Sequence, residues 1–397
     1  MTNRQIFLQH VGQTSSAPLC LDIVRAAGSR MWDADEKEYL DLIAGISVCN
    51  LGHCHPRVVR AVQEQAEKYM HLMVYGELIQ SPQVLYAQKL TRHLPASLDS
   101  VFFTASGSEA TEGAMKLAKR HTGRTKIISY KNSYHGSTQG ALSAMGSEYW
   151  KQAFRPLLPQ VMQFEFNHFG QLDEIDEDTA CVIAETVQAE AGVIKPLNGW
   201  LEALAARCRE KGALLVLDEI QCGFGRTGTL WGFQQYGVVP DILLLGKALG
   251  GGMPLGAFIA SGSLMGKLTY DPVLGHINTF GGHPVCCAAG LASFEALLEE
   301  DILSTVIKKS ELFESLLDHN AIKKINRSGL LIAVHFESFD SNKQIIDRLI
   351  AEGLFTDWFL FASHALRIAP PLNISEADIQ YACSIIRQVL DTLKRDD

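Results

Sequence analysis

Two charged residues follow short apolar runs in this sequence, at points where strands of a buried sheet would end. Asp218 closes the run LLVLD at 214–218, and Lys247 follows DILLLG at 241–246. A carboxylate at the mouth of a buried strand is costly to desolvate and needs a partner. Partial desolvation lowers the pKa of a lysine and frees its amine as a nucleophile. The alternatives are a structural ion pair for Asp218 and a loop lysine that reaches solvent for Lys247.

A candidate phosphate site lies where the run VFFTAS, at 101–106, meets the helix predicted after it. Gly107 would allow a ligand to approach the exposed amides at the helix N-terminus, and Ser108 offers a hydroxyl. An ordinary helix cap without a ligand explains the same residues. Taken alone, this junction leaves both interpretations open.

Aromatic side chains and one arginine complete the candidate binding residues. Tyr134 and His135 follow the strand candidate KIISYK at 126–131, where they could stack on a flat ligand or form a partly buried turn. Arg367 lies between apolar neighbours and is suited to bidentate binding of a carboxylate or to a structural role. The combination of these groups indicates a site for pyridoxal phosphate. It comprises a phosphate cradle, a stacking ring, a strand-end carboxylate and a desolvated lysine. That cofactor needs partners for its phosphate, ring, pyridinium nitrogen and aldehyde.

The composition argues against several other classes of protein. The 397 residues carry a formal net charge of −9, which disfavours nucleic-acid and anionic-membrane partners. The sequence begins without the apolar run of a secretory signal, and it contains no uninterrupted apolar stretch of spanning length. Nine irregularly spaced cysteines indicate reduced thiols and suggest neither a disulfide framework nor a metal site. We therefore expect a cytoplasmic protein.

Alternation of strands and helices predicts an α/β fold from about residue 100. Apolar runs separated by segments of helical or loop length are typical of a mostly parallel sheet flanked by helices. These runs lie at 101–106, 126–131, 180–186, 213–219 and 241–246. Helices are predicted at 55–70, about 108–121 and about 283–299. The run GAFIAS at 256–261 is expected to add an edge strand.

The two ends of the chain predict a second, smaller unit. Short strands with turn signals are expected at 19–45, and a strand at 330–338 lies between helical stretches. We expect a large α/β domain over residues 49–299 and a small α+β domain formed by 1–48 together with 300–397.

Five motifs along the chain resemble those of the class III, fold-type I pyridoxal-phosphate-dependent aminotransferases. They are, in family order, SGSEATEGAMKLA, YHGST, LDEIQCGFGRTG, GKALGGGMPLGA and NTFGGHP. The family includes the acetylornithine, ornithine, 4-aminobutyrate and ω-amino acid enzymes. The resemblance extends from AGISVCNLGHCHP at 44–56 to LRIAPPLNIS at 366–375. It implies the fold-type I architecture, pyridoxal 5′-phosphate as cofactor, and a homodimer with active sites at the subunit interface.

The resemblance also implies individual cofactor contacts. Lys247 matches the lysine that forms the Schiff base, and Asp218 matches the partner of the pyridinium nitrogen. The remaining cofactor residues are Gly107 and Ser108 at the phosphate, Tyr134 and Ile220 on the ring faces, His135 beside Tyr134, Gln221 at the phenolic oxygen, and Thr279 at the phosphate of the neighbouring subunit.

Four further positions bear on the substrate. By the resemblance, Arg367 takes a substrate carboxylate, and Glu190 pairs with it when an uncharged or amine-bearing substrate is bound. Acetylornithine and ornithine enzymes typically carry arginine where Ser137 stands, and ornithine aminotransferases carry tyrosine where Ile46 stands. We therefore expect an ω-amine or a β-/ω-amino acid as donor and a 2-oxo acid, 2-oxoglutarate or pyruvate, as acceptor in a ping-pong cycle.

Three alternatives accompany this expectation. The first is an acetylornithine- or succinylornithine-type aminotransferase. The second is a mutase, epimerase or decarboxylase that uses the same cofactor. The third is a catalytically silent homologue, against which the presence of both Lys247 and Asp218 argues.

Overall fold

The structure is a computed structural model that describes residues 1–396. Its strands are β1 Ile23–Ala27, β2 Arg30–Asp33, β3 Glu38–Asp41, β4 Ser100–Thr104, β5 Lys126–Tyr130, β6 Val161–Phe164, β7 Thr179–Glu185, β8 Leu214–Asp218, β9 Ile242–Leu245, β10 Gly256–Ala260, β11 Lys324–Ser328, β12 Leu331–His335, β13 Leu354–Phe355, β14 Trp358–Phe359 and β15 Ala362–Ile368. Its α-helices are α1 Asn3–His10, α2 Ala44–Ser47, α3 Pro56–Lys68, α4 Ser81–Thr91, α5 Gly107–Thr122, α6 Gln139–Ala144, α7 Glu148–Lys151, α8 Trp200–Lys211, α9 Gly262–Met265, α10 Pro284–Glu299, α11 Leu303–Leu316, α12 Phe339–Ala351 and α13 Glu376–Asp396.

The described chain builds its central sheet from seven strands in the order β4-β10-β9-β8-β7-β5-β6. The five strands β9, β8, β7, β5 and β6 are parallel to one another, whereas β10 is antiparallel to both β9 and β4. Residues of β8 alternate between two core clusters: Val216 packs in the cluster that contains α5 residues, and Leu217 in the one that contains α8 residues. Because both faces are covered, these strands are predominantly apolar. The predicted α/β fold with a mostly parallel sheet is confirmed.

The strand predicted at 256–261 lies inside this sheet, so its prediction as an edge strand was wrong. β10 pairs with β4 on one side and with β9 on the other, and β4 forms the edge. The order of strands in a sheet depends on packing between segments that are distant in sequence. The pattern of apolar residues within one strand gives no information about that order. Phe258 of β10 packs so closely on α5 that a Cβ at Gly113 would lie 2.2 Å from the phenyl Cε1.

Two smaller sheets combine the ends of the chain. The first has the order β1-β2-β3-β13, in which Leu354 of β13 pairs in parallel with Leu40 of β3. The second has the order β11-β12-β15-β14 and pairs Ala333 with Arg367. The N-terminal strands are therefore tied to the C-terminal region by backbone hydrogen bonds.

The helices predicted around the central sheet are present. α3 begins with a proline in its first turn, α5 spans Gly107–Thr122, and α10 packs against both α3 and α4. A proline fits the start of a helix because the first amides need no partner within it. None of the helices within residues 1–396 combines the length and the apolar character needed to cross a membrane.

Candidate active site

A cavity of about 180 Å³ lies at the carboxyl ends of the central strands, where ligands bind in α/β sheets. Asp218 ends β8, Glu185 ends β7 in register with it, and Lys247 follows β9. The cavity is lined by Gly107, Ser108, Tyr134, His135, Gly136, Glu185, Asp218, Ile220, Gln221, Cys222 and Lys247. The fold therefore brings together every predicted cofactor residue except Thr279.

Asp218 is buried and held by two donors. His135 Nδ1 donates to its Oδ2 at 2.7 Å, and the backbone N–H of Ile220 donates to its Oδ1 at 2.9 Å. His135 is itself buried, and its Nε2 has no hydrogen-bond partner among the described residues. These contacts fix the plane of the carboxylate toward the cavity. The sequence pattern placed His135 near the cofactor and did not identify its contact with Asp218.

Lys247 extends into the same cavity from a strained backbone. Its φ of 48° lies in the left-handed region, which costs a non-glycine residue about 1–3 kcal/mol. Its Nζ donates to Oε1 of Gln221 at 3.1 Å. Burial lowers the pKa of Lys247, against the opposing charges of Glu190 and Asp218. The amine is thus more easily deprotonated than an exposed lysine, as its place after an apolar run predicts.

The candidate phosphate end of the cavity is formed by closely packed small residues. Ser106 caps α5 by accepting from the N–H of Glu109, so Gly107 and Ser108 are the first two helical residues. The Ser108 hydroxyl accepts from the N–H of Ser137 at 3.3 Å. A Cβ at Gly136, whose φ is 130°, would lie 2.2 Å from Ser108 Oγ. Only glycine fits there, and the helix N-terminus stays accessible to an anion.

Ile220 forms one wall of the cavity. A Cβ at Gly107 would lie 2.8 Å from Ile220 Cδ1, and one at Gly246 would lie 3.1 Å from its Cγ2. On the other side, the Tyr134 hydroxyl lies 3.0 Å from Ser137 Oγ. An aliphatic wall and an aromatic ring therefore border the same space, as a flat ligand requires.

Glu185 lines this cavity, although its sequence context indicated no role for it. Its Oε1 accepts from the N–H of Ala189, and its Oε2 has no partner within the described chain. Burial, followed by the neighbouring Asp218, raises the pKa of Glu185 well above its ordinary value. Burial thus favours the neutral form of Glu185. Its Oε2 is one of three buried atoms at this cavity without a partner among the described residues, the others being His135 Nε2 and Gln221 Nε2. Buried polar atoms rarely lack partners, so this cavity fits a polar ligand such as pyridoxal phosphate.

Glu219 points away from this site. It is fully buried and accepts from the Thr186 hydroxyl and from the N–H groups of Gly232 and Phe233. Burial raises its pKa to about 7. Glu219 anchors the loop after β8, and Thr186 is one of its donors.

A second cavity of about 1000 Å³ adjoins the first and shares Tyr134 and Lys247 with it. All four predicted substrate residues line it: Arg367, Glu190, Ile46 and Ser137. Ile46 has a φ of 65°, a rare conformation for a β-branched residue. Apolar side chains form much of the remaining wall, namely Leu142, Met145, Trp150, Phe154, Ile346 and Leu360.

Arg367 and Glu190 form a buried bidentate ion pair in this second cavity. Glu190 Oε1 accepts from one terminal nitrogen at 2.7 Å, and Oε2 accepts from the other at 3.0 Å. Burial raises the pKa of Glu190, but the charge of Arg367 outweighs it and brings the pKa below its ordinary value. The arginine also touches Asp357, whose Oδ1 accepts from Nε at 2.8 Å. Sequence reasoning missed Asp357, because its role arises only from the pairing of β14 with β15.

Thr279 is the predicted cofactor residue that lies outside both cavities. It is exposed, in an irregular segment between β10 and α10. Several apolar residues nearby are also exposed, including Val273, Ile277 and Phe280. Thr279 therefore lines neither cavity of its own chain.

The fold and the site define an enzyme class that holds pyridoxal phosphate at the carboxyl ends of a mostly parallel sheet. The family description Aminotransferase class-III matches residues 11–390. The chain belongs to this family and is a pyridoxal-phosphate-dependent aminotransferase.

Individual relatives are similar over nearly the whole chain. The acetylornithine aminotransferase of Methanopyrus kandleri is 37% identical, over 96% of this chain and 96% of its own length. An ornithine aminotransferase structure from Toxoplasma gondii, described with partial occupancy of PLP at its active site, has a TM-score of 0.91 and 29% identity, over 99% and 94% of the two chains. An (S)-enantioselective omega-transaminase from Thermomicrobium roseum has a TM-score of 0.89 and 28% identity, over 98% and 97%.

Proposed function

We propose that this aminotransferase moves an amino group from an ω-amine or a β-/ω-amino acid to a 2-oxo acid, 2-oxoglutarate or pyruvate. The observation that carries the proposal is the cavity of about 1000 Å³ that connects Lys247 to the Arg367–Glu190 pair. Such a cavity offers one place for the reacting amine, one for a carboxylate, and a large apolar wall.

The donor class follows from the charges around the cavity. Among the described residues that line it, the cationic side chains are Lys247, Lys343 and Arg367. Lys343 Nζ donates to Asp347 at 2.6 Å, and Arg367 is neutralised by Glu190. Ser137 stands where related enzymes carry arginine. A donor with an uncharged extension fits this wall better than one with a second carboxylate.

The residues that hold the cofactor follow from the smaller cavity. We assign the phosphate to the amides and hydroxyl of Gly107 and Ser108, and the ring to the space between Ile220 and Tyr134. Gln221 Nε2 is buried and has no partner among the described residues, so it is available to the phenolic oxygen. Asp218, oriented by His135, supplies the negative charge that keeps a ring nitrogen protonated.

The proton chemistry belongs to Lys247. When bound, pyridoxal phosphate supplies an electron-withdrawing ring that acidifies the Cα–H bond of the substrate amine. Lys247 would hold the aldehyde carbon of the cofactor through its Nζ, and the same Nζ, when free, would take the proton from Cα. The lowered pKa of Lys247 favours this role, because a neutral amine is the form that acts as a base.

The two half-reactions require the Arg367–Glu190 pair to open and close. With the pair closed, the charge of Arg367 is satisfied and an amine without a carboxylate at this point is accommodated. When a 2-oxo acid enters, its carboxylate replaces Glu190 at the terminal nitrogens of Arg367. The same site thus serves both substrates in a ping-pong cycle.

Assembly and location are part of the same proposal. We infer a homodimer in which Thr279 reaches the phosphate site of the partner, because Thr279 is exposed beside exposed Val273, Ile277 and Phe280. Exposed apolar groups of this kind mark interfaces. Nine free cysteines suit a reducing, cytoplasmic compartment.

We also propose two domains, a large one over residues 49–299 and a small one formed by 1–48 together with 300–397. The pairing of β3 with β13 supports this division, because it joins the two ends of the chain in one sheet.

An acetylornithine-type donor is the second candidate. It is favoured by the 37% identity to the acetylornithine aminotransferase of Methanopyrus kandleri. The serine at 137 opposes it, since loss of a bidentate clamp costs about 1.5–3 kcal/mol of carboxylate recognition.

A half-reaction screen tests the proposal. The pyridoxal form of the enzyme is mixed with aliphatic ω-amines, β-alanine, 4-aminobutyrate and N-acetylornithine, and its absorbance is followed to the pyridoxamine form. We expect ω-amines or β-/ω-amino acids to react fastest, and Lys247→Ala to react with none of the panel. Fastest conversion by N-acetylornithine would support the second candidate, and no conversion by any amine would contradict both.

A further inference from the structure

Arg367 is shared between two carboxylates, and only one of them is the switchable glutamate. Glu190 occupies both terminal nitrogens, at 2.7 and 3.0 Å, while Asp357 Oδ1 accepts from Nε at 2.8 Å. The side chain of Arg367 is 4% exposed, that of Glu190 10%, and that of Asp357 29%. Asp357 thus lies at the cavity surface, beside the cation that is to receive a substrate carboxylate.

The hydrogen-bonding capacity of Arg367 is nearly used up. A guanidinium has five N–H groups. Four have acceptors here: one on Nε with Asp357, one with each oxygen of Glu190, and one with the carbonyl of Trp358 at 2.9 Å. With both acids ionised, the cluster has one positive and two negative charges. The cation therefore offers an entering carboxylate little net attraction.

One short segment, residues 356–361, which includes β14, holds this arrangement. Leu360 N–H donates to Oε2 of Glu190 at 2.9 Å, and the guanidinium carbon lies 4.5 Å from the centroid of the Phe359 ring. The backbone N–H of Arg367 donates to the carbonyl of Asp357 at 2.9 Å. Asp357 is therefore fixed by the β14–β15 hairpin, and it stays beside Arg367 when Glu190 leaves.

We propose that Asp357 is a specificity-determining residue that offsets part of the charge of Arg367 and so weakens the binding of substrates that place a carboxylate there. When a substrate carboxylate displaces Glu190, Asp357 remains as a second anion next to it. Like charges around one buried cation are costly at low dielectric. Burial raises the pKa of Asp357 to about 6 although Arg367 opposes the shift, and the like charge of Glu190 adds to the rise.

This inference rests on the proposed function, because it takes the larger cavity as the substrate site. It deepens that proposal by naming the substrate class. Amines that leave the Arg367–Glu190 pair closed are preferred as donors. Substrates that carry a carboxylate at this point bind more weakly than they would if Arg367 had no Asp357 beside it.

The experiment measures binding of two isosteric probes, pentanoate and pentanamide, to the holoenzyme by calorimetry. Asp357→Asn removes the charge and keeps an oxygen acceptor for Nε, whereas Asp357→Ala removes both. Asp347→Asn is the matched control, because Asp347 lines the same cavity and is paired with Lys343 instead of Arg367.

We expect Asp357→Asn to tighten pentanoate binding by roughly tenfold, as removal of one nearby like charge from a partly buried site should. Pentanamide binding should not change, and Asp347→Asn should leave the pentanoate-to-pentanamide ratio as in the wild type. In steady-state assays with Asp357→Asn, the acceptor 2-oxoglutarate should show a lower KM, while the KM for a simple amine stays constant.

Other outcomes would overturn the proposal. If Asp357→Ala weakens pentanoate binding and Asp357→Asn does not alter it, Asp357 serves only to orient Arg367. If Asp347→Asn tightens pentanoate equally, the effect is one of general cavity charge. Should Asp357→Asn not fold, Asp357→Ala provides the same comparison, with tighter pentanoate binding as the supporting result.

The failure of this inference can be told apart from failure of the proposed function. A wild-type enzyme that converts no amine would contradict the proposed function. An active enzyme whose pentanoate-to-pentanamide affinity ratio is insensitive to Asp357 contradicts this inference alone.

Discussion

The Nδ1 atom of His135 lies 2.7 Å from Oδ2 of Asp218, and the two side chains are buried together beneath the smaller cavity. Because an aspartate carboxylate only accepts, the imidazole donates, and the second oxygen is held by the N–H of Ile220. One donor lies 83 residues before Asp218 and the other 2 residues after it, and together they set the direction of one charge. This contact makes Asp218 a rigid electrostatic partner.

Replacing Asp218 by asparagine should preserve the fold and nearly abolish proton abstraction. The side chain keeps its size but loses the charge that holds a ring nitrogen protonated, so we expect the amine half-reaction to slow by about 10²- to 10⁴-fold. Single-turnover absorbance measures that rate, and circular dichroism monitors the fold. Borohydride should still fix cofactor on Lys247 in this variant. A folded Asp218→Asn enzyme with a wild-type rate would show that the assigned role is wrong.

Gly136 should be necessary for cofactor binding. We expect Gly136→Ala to weaken it by roughly tenfold, because the φ of 130° and the contact with Ser108 must both be relieved. Gly123→Ala is the control, since Gly123 also has a positive φ, 71°, but has open space around its Cβ position. It should lower stability by about 1 kcal/mol and leave cofactor affinity unchanged. Equal losses of affinity in both variants, measured by equilibrium titration, would contradict the prediction.

Thr279 should act on the partner's site. Thr279→Ala is expected to lose cofactor more readily than wild type during dialysis, while sedimentation still shows a dimer. Co-expression with Lys247→Ala tests the direction: in a hybrid dimer, the subunit with Lys247 receives Thr279 from its partner. Activity at limiting cofactor should therefore exceed that of either parent. If Thr279 acted within its own chain, the hybrid would show no gain.

The ion pair between His53 and Asp41 should make stability depend on pH. His53 Nε2 lies 2.7 Å from Asp41 Oδ2, and this hydrogen bond raises the pKa of His53 from 6.5 to about 10. A raised folded-state pKa gives stability that is complete below about pH 6.5 and is lost as pH rises through 10. We expect the free energy of unfolding to fall by roughly 1–3 kcal/mol over that window. In His53→Gln the decline should be smaller, and an identical decline would exclude the pair as its cause.

Much of the cofactor site follows from local patterns in the sequence. Asp218 and Lys247 end apolar runs, and parallel strands bring such ends to one edge of the sheet. The helix after Gly107 and the strand before Asp218 were predicted to within one or two residues. The motif resemblance predicted the fold, the cofactor and the family. Short-range periodicity suffices here because each of these groups is placed by the element that it begins or ends.

Other features depend on contacts between distant segments. Three features could be predicted only with knowledge of which strands are neighbours. They are the inner position of β10, the hydrogen bond between His135 and Asp218, and the burial of Glu185 Oε2 without a partner among the described residues. Asp357 is the strongest case, since this residue, which directly precedes β14, becomes a partner of Arg367 only through the β14–β15 hairpin. The sequence by itself determined the reaction chemistry, because that chemistry requires particular residue types at strand ends. Tertiary structure decided how the charges around Arg367 are balanced, because Coulombic coupling depends on distance in space and on burial, neither of which is encoded in spacing along the chain.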